Sequence, residues 1–196
     1  MIYAADTAAP ERAKYEQVWQ FPEYHEHSPG LQNVDRFMKV LKPRVELQPT
    51  LIDVGCGACV AGLELQRRGL DVWYLDLTDA AVPDEVPRGR FIEAPIWSRW
   101  SHRKAMGSWD YGFCCDVMEH VPPEYTMLCL DRIFSCCRTT WLQVANEPDA
   151  FGSMIGQDLH LTVQPFAWWR DRVAGLGRLV DARDLCGQSL FVVEQR

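Results

Sequence analysis

The sequence lacks the features that would direct the chain into a membrane or the secretory pathway. No apolar run approaches the roughly 20 residues that a membrane-spanning helix needs. The opening stretch, MIYAADTAAPERAKYE, has no basic leader followed by an apolar core, so no secretory signal is expected. We therefore expect a cytoplasmic protein without a membrane partner.

The sequence is also short of positive charge. It has 20 lysines and arginines against 27 acidic residues, which gives a formal net charge of -7. This balance provides no general attraction for a polyanion, so long nucleic acid is not expected as a partner. The densest basic cluster lies at 99–104 and is flanked by Trp97 and Trp100. It could receive an anionic acceptor or stack an aromatic one, although a charged helix face with its tryptophans turned inward is the commoner arrangement.

Eight cysteines are present, but a metal-binding pattern is missing. Cys56 and Cys59 form the only C-x-x-C, and no second pair or histidines at matching spacing accompany them. A zinc site is therefore not indicated. A redox pair at these positions is conceivable, but both residues lie inside a glycine loop. We expect mostly buried, reduced thiols.

At 196 residues the chain is long enough for one domain with a substantial core. We predict a single domain, 1–196, with an N-terminal helical segment at 12–42. Within that segment Ser28 can cap and Pro29 can open a helix with apolar residues at helical spacing. Before this helix, Trp19, Tyr24, His25 and His27 either line a substrate pocket or belong to a solvated loop.

The stretch at 51–76, LIDVGCGACVAGLELQRRGLDVWYLD, is the most informative part of the sequence. It predicts a buried parallel strand, a glycine turn, a helix and a second strand. Gly55 and Gly57 allow the backbone to approach a ligand closely. Asp76 ends the second strand 19 residues after Gly57, where a nucleoside-binding fold places the acid that accepts hydrogen bonds from ribose hydroxyls.

A nicotinamide-binding fingerprint would require a third glycine at the position of Val60. The sequence instead resembles the class I S-adenosylmethionine-dependent methyltransferases, whose first motif has the form acid-x-G-x-G. Asp53, Gly55 and Gly57 match this motif, while Ala58 and Cys59 replace the further glycine that the family often has.

The resemblance implies an α/β fold: a doubly wound, Rossmann-like sheet of seven strands, mostly parallel, with the last strand antiparallel. It also implies that S-adenosylmethionine is the cofactor and that Glu93, at the end of the third strand, meets the adenine amino group. The expected cofactor-binding residues are Asp53, Gly55, Cys56, Gly57, Asp76, Leu77, Glu93, Ala94, Cys115 and Asp116.

The segment DVMEHVPPE after the fourth strand resembles the family motif that lies near the methyl donor. Glu119 and His120 in this segment, with His160 on a long loop at 146–161, are the candidate catalytic residues, and Asp158 is a further polar residue of that loop. Their alternative role is to hold the loops by hydrogen bonds. The Glu-His pattern also resembles divalent-metal sites of ubiquinone O-methyltransferases and small-RNA 2′-O-methyltransferases, but we expect pocket residues without a metal.

These expectations favour an enzyme that transfers a methyl group to an oxygen or nitrogen of a small-molecule acceptor. The identity of the acceptor and the oligomeric state do not follow from the sequence. A non-catalytic S-adenosylmethionine-binding protein, a metal-dependent O-methyltransferase and a nicotinamide enzyme remain as alternatives. Methyl transfer to a panel of acceptors tests the binding-protein alternative, and loss of activity on chelation tests the metal-dependent one. Absorbance of the reduced cofactor tests the nicotinamide enzyme.

Overall fold

A computed structural model describes residues 5–25, 28–98, 100 and 109–196. The helices in these residues are α1 (Ala5–Val18), α2 (Pro22–His25), α3 (Pro29–Leu41), α4 (Val60–Arg67), α5 (Thr126–Cys136) and α6 (Phe166–Leu176). The strands are β1 (Thr50–Val54), β2 (Asp71–Asp76), β3 (Phe91–Glu93), β4 (Trp109–Cys115), β5 (Cys137–Ala145), β6 (Arg178–Asp184) and β7 (Gln188–Glu194).

The seven strands form one sheet in the order β3-β2-β1-β4-β5-β7-β6. The neighbouring strands from β3 to β5 in this order are parallel, whereas β7 is antiparallel to both of its neighbours, β5 and β6. The predicted seven-stranded, mostly parallel sheet with an antiparallel last strand is confirmed. From β1 the chain first adds strands on one side and then, at β4, on the other. Such a reversal leaves a crevice at the carboxyl ends of the strands, where α/β proteins bind ligands.

Helices cover both faces of the sheet. Because successive side chains of a strand point to opposite faces, one strand contributes to the packing on both sides. Leu51 of β1 packs in the cluster that contains Phe37 of α3 and Leu65 of α4. Its neighbour Ile52 packs in the cluster on the other face, which contains Ile133 of α5. Leu51, Ile52, Leu65 and Ile133 are fully buried aliphatic side chains. Removing each of them from water stabilises the fold by about 1.5–3 kcal/mol.

The ends of several elements differ from the sequence-based expectation. The first helix, expected at 13–20, begins at Ala5 and ends at Val18. It continues through Pro10, and burial of Ala8 and Val18 anchors it to the rest of the chain. Ser28 precedes α3 but its side chain makes no capping hydrogen bond. Among the described residues, no helix has the length and apolar character needed to cross a bilayer.

Candidate functional site

The crevice beside β1 and β4 is a cleft of about 1130 Å³, part of which is open to solvent. The glycine loop after β1, the end of β2, the segment after β3 and the end of β4 line it from the sheet side. Residues of α1 and α2 line it from the opposite side.

The loop between β1 and α4 packs closely against its neighbours because it carries no side chain at two positions. Gly55 and Gly57 both have positive φ angles, of 71° and 50°. A Cβ atom at Gly57 would lie 2.9 Å from the ring of Trp19, and one at Gly55 would overlap the side chain of Val117. The sequence therefore needs glycine here for backbone conformation and for close packing.

Asp76 fixes this loop from the end of β2. Its Oδ2 accepts a hydrogen bond from the Gly57 amide at 2.8 Å, and its Oδ1 accepts from the Leu77 amide at 2.7 Å. Burial raises the pKa of Asp76, and the backbone donors of Gly57, Thr78 and Leu77 oppose that rise. The carboxylate thus both lines the cleft and holds the glycine loop in place.

Asp53 contributes a second carboxylate at the base of the cleft. It is only 4% exposed, and its Oδ2 has no hydrogen-bond partner within the part of the chain that the structure describes. Burial, reinforced by the charge of Asp76, raises the pKa of Asp53 to about 7, although the Gly62 amide acts in the opposite direction. A cationic or hydrogen-donating ligand would therefore be favoured beside it.

At the end of β4 the chain turns sharply through Asp116, which has a left-handed φ of 60°. Non-glycine residues seldom adopt this conformation, and it aims Asp116 and Val117 at the cleft. Glu119 follows in a 3-10 turn but is fully buried and does not line the cleft. Its Oε1 accepts a hydrogen bond from the Ala145 amide at 2.6 Å. Burial and the neighbouring Asp116 raise its pKa well above the usual range for a glutamate.

His120 lines the cleft beside this turn. Its Nδ1 lies 3.1 Å from the Leu159 carbonyl oxygen and 2.7 Å from the Tyr15 hydroxyl oxygen. Nδ1 can donate to the carbonyl or accept from the hydroxyl, so these two contacts are compatible with either tautomer. Burial lowers the pKa of His120 to about 4, with the nearby His160 acting in the same direction. The imidazole is therefore neutral at physiological pH.

His160 lies behind His120, with 4.6 Å between the two ring centroids. Its Nδ1 is 2.6 Å from the Glu147 carbonyl oxygen, which ties the 146–161 loop to the end of β5. One ligand atom each from Glu119, His120 and His160 lies within 4.8 Å of the others, close enough to share a cation. A histidine pair with a carboxylate is a donor set that zinc accepts, whereas magnesium prefers more oxygen ligands. The expectation of a metal-free pocket stays a prediction.

The N-terminal helices cover the cleft. Tyr15 of α1 reaches His120, Trp19 lies over the glycine loop, and Tyr24 of α2 contacts Trp19 with ring centroids 4.6 Å apart. Tyr24 also meets Phe151 of the 146–161 loop at 5.5 Å. His25, expected in the same region, is hydrogen-bonded to the Trp19 carbonyl oxygen at 2.5 Å.

Most of the predicted cofactor residues lie together on the cleft wall. Those that line it are Asp53, Gly55, Cys56, Gly57, Asp76, Leu77, Cys115 and Asp116, with His120 beside them. The remaining candidates are not among the lining residues: these are Glu93, Ala94, Glu119 and His160. Glu93 instead forms an ion pair with Arg12 at the surface, and Pro95, Ile96 and Trp97 line the cleft next to it.

Trp97 and Trp100 are buried, as the inward-facing alternative expected, but the basic residues Arg99, His102, Arg103 and Lys104 lie outside the described residues, as does His27. All eight cysteines carry free thiols, and seven of them are at least half-buried. The Cys56 and Cys59 sulfurs lie 3.5 Å apart, and burial raises the pKa of Cys56 well above the thiol's usual value.

The sequence reasoning missed Glu11 and Tyr15, which line the cleft from α1. Tyr15 contacts His120, which lies 105 positions away, so no local sequence pattern predicts this contact. A helical stretch that carries a polar face with one aromatic residue is the only signal that the sequence offers there.

Comparison with known proteins places this geometry in a class. No protein-family model and no curated protein sequence matches the chain. Among solved structures, a 1,6-didemethyltoxoflavin N1-methyltransferase from Burkholderia thailandensis superimposes with a TM-score of 0.73 at 13% identity, over 100% of this chain and 91% of the other. That structure contains 1,6-didemethyltoxoflavin and S-adenosylhomocysteine.

Two further structures are similar. Magnesium protoporphyrin IX methyltransferase from Synechocystis, with bound S-adenosylhomocysteine, gives a TM-score of 0.60 at 20% identity over 85% of this chain and 83% of that one. An O-methyltransferase family protein from Burkholderia thailandensis gives 0.57 at 16% identity, over 83% and 58%. The chain therefore has the class I S-adenosylmethionine-dependent methyltransferase fold.

Proposed function

We propose that the protein transfers the methyl group of S-adenosylmethionine to an oxygen or nitrogen atom of a small-molecule acceptor. The observation that carries the proposal is the cradle formed by the glycine loop and Asp76. Gly57 has a positive φ and lines the cleft, and Asp76 lies beside it, accepts the hydrogen bond of the Gly57 amide and also lines the cleft. Structural neighbours that hold S-adenosylhomocysteine support the same assignment.

The buried carboxylates suit this donor. S-adenosylmethionine carries a positive sulfonium whose methyl group is already activated, so the protein needs mainly to align the acceptor with it. Asp53 has an unpartnered oxygen among the described residues, and Asp116 faces the cleft from the end of β4. Both carboxyl groups favour a cation over a neutral or anionic ligand.

His120 is the proposed acid-base residue, because its imidazole lines the cleft beside the end of β4. We propose that Glu119 and His160 position it: Glu119 receives the Leu161 and Thr162 amides on its carbonyl oxygen, and His160 packs against the imidazole. No metal takes part in this proposal. Activity that disappears on chelation and returns with magnesium, manganese or zinc would contradict that point.

Calorimetry with S-adenosylhomocysteine tests the central proposal. Wild-type protein should bind, and Asp76→Ala should lose about 1.5–3 kcal/mol of binding free energy, as expected for charge-assisted hydrogen bonds. Asp71→Ala is the matched control, because Asp71 begins the same strand but pairs with Arg90 away from the cleft. No binding by the wild type, or equal binding by the Asp76 and Asp71 variants, would contradict the assignment. Methyl transfer to an acceptor panel then distinguishes an enzyme from a binding protein.

A further inference from the structure

Two thiols lie side by side in the glycine loop, and the proposed function gives their sulfur atoms no role. The sulfurs of Cys56 and Cys59 are 3.5 Å apart, and both cysteines are free. The Cys59 amide donates a hydrogen bond of 2.7 Å to the Cys56 carbonyl oxygen, which closes a four-residue turn. The first and last Cα atoms of such a turn are within about 7 Å of each other. Disulfides join Cα atoms about 4.4–6.8 Å apart, so the turn permits a bond between these sulfurs.

Access from solvent distinguishes this pair from the other close pair of thiols. Cys56 is partly exposed and lines the cleft, so a small dissolved reagent can reach its sulfur. The sulfurs of Cys136 and Cys137 are 3.7 Å apart, but both residues are buried and neither lines the cleft. Proximity and access therefore coincide in the glycine loop.

The turn between the two cysteines carries a contact of the cofactor site. Gly57 follows Cys56, and its amide donates to Asp76 at 2.8 Å. Cys59 is held in place, because it is fully buried and its carbonyl oxygen accepts a hydrogen bond of 2.9 Å from the Leu63 amide of α4. A disulfide requires a sulfur–sulfur separation of about 2.05 Å, so Cys56 has to move toward Cys59. That movement pulls the neighbouring Gly57 amide away from Asp76.

We propose that Cys56 and Cys59 are a modification site: a small organic disulfide oxidises them to an internal disulfide, which weakens cofactor binding. The effect on the cofactor rests on the proposed function. The Cys56 thiolate attacks one sulfur of the reagent, whose S–S bond breaks, and one thiolate leaves. The Cys59 thiolate then attacks the Cys56 sulfur of this mixed disulfide, which forms the internal bond and releases the second thiolate. The protein loses two electrons and two protons, and the reagent becomes two thiols.

Mapping of the thiols tests for the bridge. The protein is equilibrated with mixtures of bis(2-hydroxyethyl) disulfide and 2-mercaptoethanol, which carry no charge that Asp53 and Asp76 of the cleft would repel. Burial raises the pKa of Cys56 well above the thiol's usual value, so the thiolate is scarce. Equilibration is therefore carried out at mildly alkaline pH until the thiol content is constant.

The tryptic peptide 45–67 contains these two cysteines and no other. After alkylation in denaturant, the peptide from oxidised protein should carry no alkyl group and be two hydrogens lighter than the unmodified dithiol peptide. The peptide from reduced protein should carry two alkyl groups. Two alkyl groups at every ratio of the reagents would overturn the inference.

Calorimetry with S-adenosylhomocysteine measures the effect on the cofactor site. The reagent ratio is set so that Cys59→Ser keeps its remaining Cys56 thiol reduced, whereas the wild-type pair closes because its second step is intramolecular. Oxidised wild type should bind at least about tenfold more weakly than reduced wild type, as expected for loss of one charge-assisted hydrogen bond. Dithiothreitol should restore the affinity. Cys59→Ser should bind equally with and without the oxidant. Cys186→Ser, which removes the exposed thiol between β6 and β7, should respond as the wild type does.

The cofactor should act on the bridge in return, which tests the coupling in wild-type protein without any variant. By thermodynamic linkage, saturating S-adenosylhomocysteine should shift the thiol–disulfide equilibrium toward the dithiol by the same factor as the affinity falls. Equal affinity of the oxidised and reduced proteins, or an equal loss in Cys59→Ser, would overturn the inference and leave the proposed function intact. Absence of binding by the reduced protein would overturn the proposed function, while the peptide 45–67 would still report whether the bridge forms.

Discussion

The buried carboxyl group of Asp53 links the stability of the fold to pH. Its pKa is raised to about 7 by burial and by Asp76, whereas an aspartate in an unfolded chain titrates near 3.9. Between these values the folded protein holds a proton that the unfolded chain has released. Folding stability from this group is therefore fully present below about pH 4 and is lost as the pH rises toward 7.

Asp53→Asn should remove this pH dependence. In wild-type protein the group should contribute about 2–3 kcal/mol less to the free energy of unfolding at pH 8 than at pH 5. Urea denaturation at the two pH values measures the difference for each protein, and the Asn variant should lose less stability on the same change. Asp131→Asn, on the exposed side of α5, serves as control and should follow the wild type. An unchanged pH response in Asp53→Asn would show that the carboxyl titrates normally.

Residues of the glycine loop were predictable, because their signal is local. The strand before Gly55, the helix after Gly57 and the acid at Asp76 are read from 26 consecutive positions, and the structure brings them to one cleft. The contact between Tyr15 and His120 was not predictable, since it joins residues 105 positions apart. Glu93 ended the third strand as expected, but its exposed carboxylate pairs with Arg12, a residue of a helix whose position depends on the whole fold.

At the scale of elements, packing decides which helical glycines are needed. Gly62 lies in α4 where a Cβ atom would come within 2.5 Å of the Tyr74 ring and 2.7 Å of Asp53 Oδ2. Gly175 lies near the end of α6, where a Cβ atom would meet nothing within 4 Å. Both have the same low intrinsic helix propensity, so they form a matched pair.

Replacing each glycine by alanine should have opposite effects on stability. Gly62→Ala should lower the free energy of unfolding by about 1–3 kcal/mol, because overpacking displaces Tyr74 and the β1 carboxylate. Gly175→Ala should raise it by up to about 1 kcal/mol, as alanine stabilises an open helical position. Chemical denaturation of both variants measures the effects. Stabilisation by Gly62→Ala would contradict the packing argument.

Element boundaries show where sequence patterns fail. The sequence predicts the fourth strand at 111–115 and the fifth at 139–145, but β4 begins earlier, at Trp109, and β5 follows α5 directly at Cys137. Hydrogen bonds to neighbouring strands extend these ends: Trp109 pairs with Cys137 across the sheet. Such pairing depends on which strands become neighbours, and a single-strand pattern does not contain that information.

At the scale of the whole molecule, topology and charge act together. The order reversal between β1 and β4 creates the crevice, and the N-terminal helices cover it through contacts such as that of Trp19 with the glycine loop. The sequence predicted the crevice, since alternating strands and helices imply a doubly wound sheet. It left open whether the N-terminal segment was a cover or a solvated loop, because both alternatives fit the same residues.

Charge distribution leads to a last prediction, that the protein does not bind long nucleic acid. The net charge is -7, and several surface arginines are neutralised by acidic neighbours, as in the pairs Arg90–Asp71 and Arg68–Asp35. Phosphate contacts release counterions only where free cations lie along a continuous surface, so few should form here.

Random duplex DNA and single-stranded RNA in a mobility-shift assay check this expectation, first at low and then at physiological salt. We expect no retarded band at physiological salt, and excess heparin should leave S-adenosylhomocysteine binding unchanged. The residues at 99–104 form the densest basic cluster in the sequence, so a variant with Arg99, Arg103 and Lys104 changed to glutamate is the informative control. Tight binding that weakens with salt and disappears in that variant would identify this cluster as a nucleic-acid site and reverse the prediction.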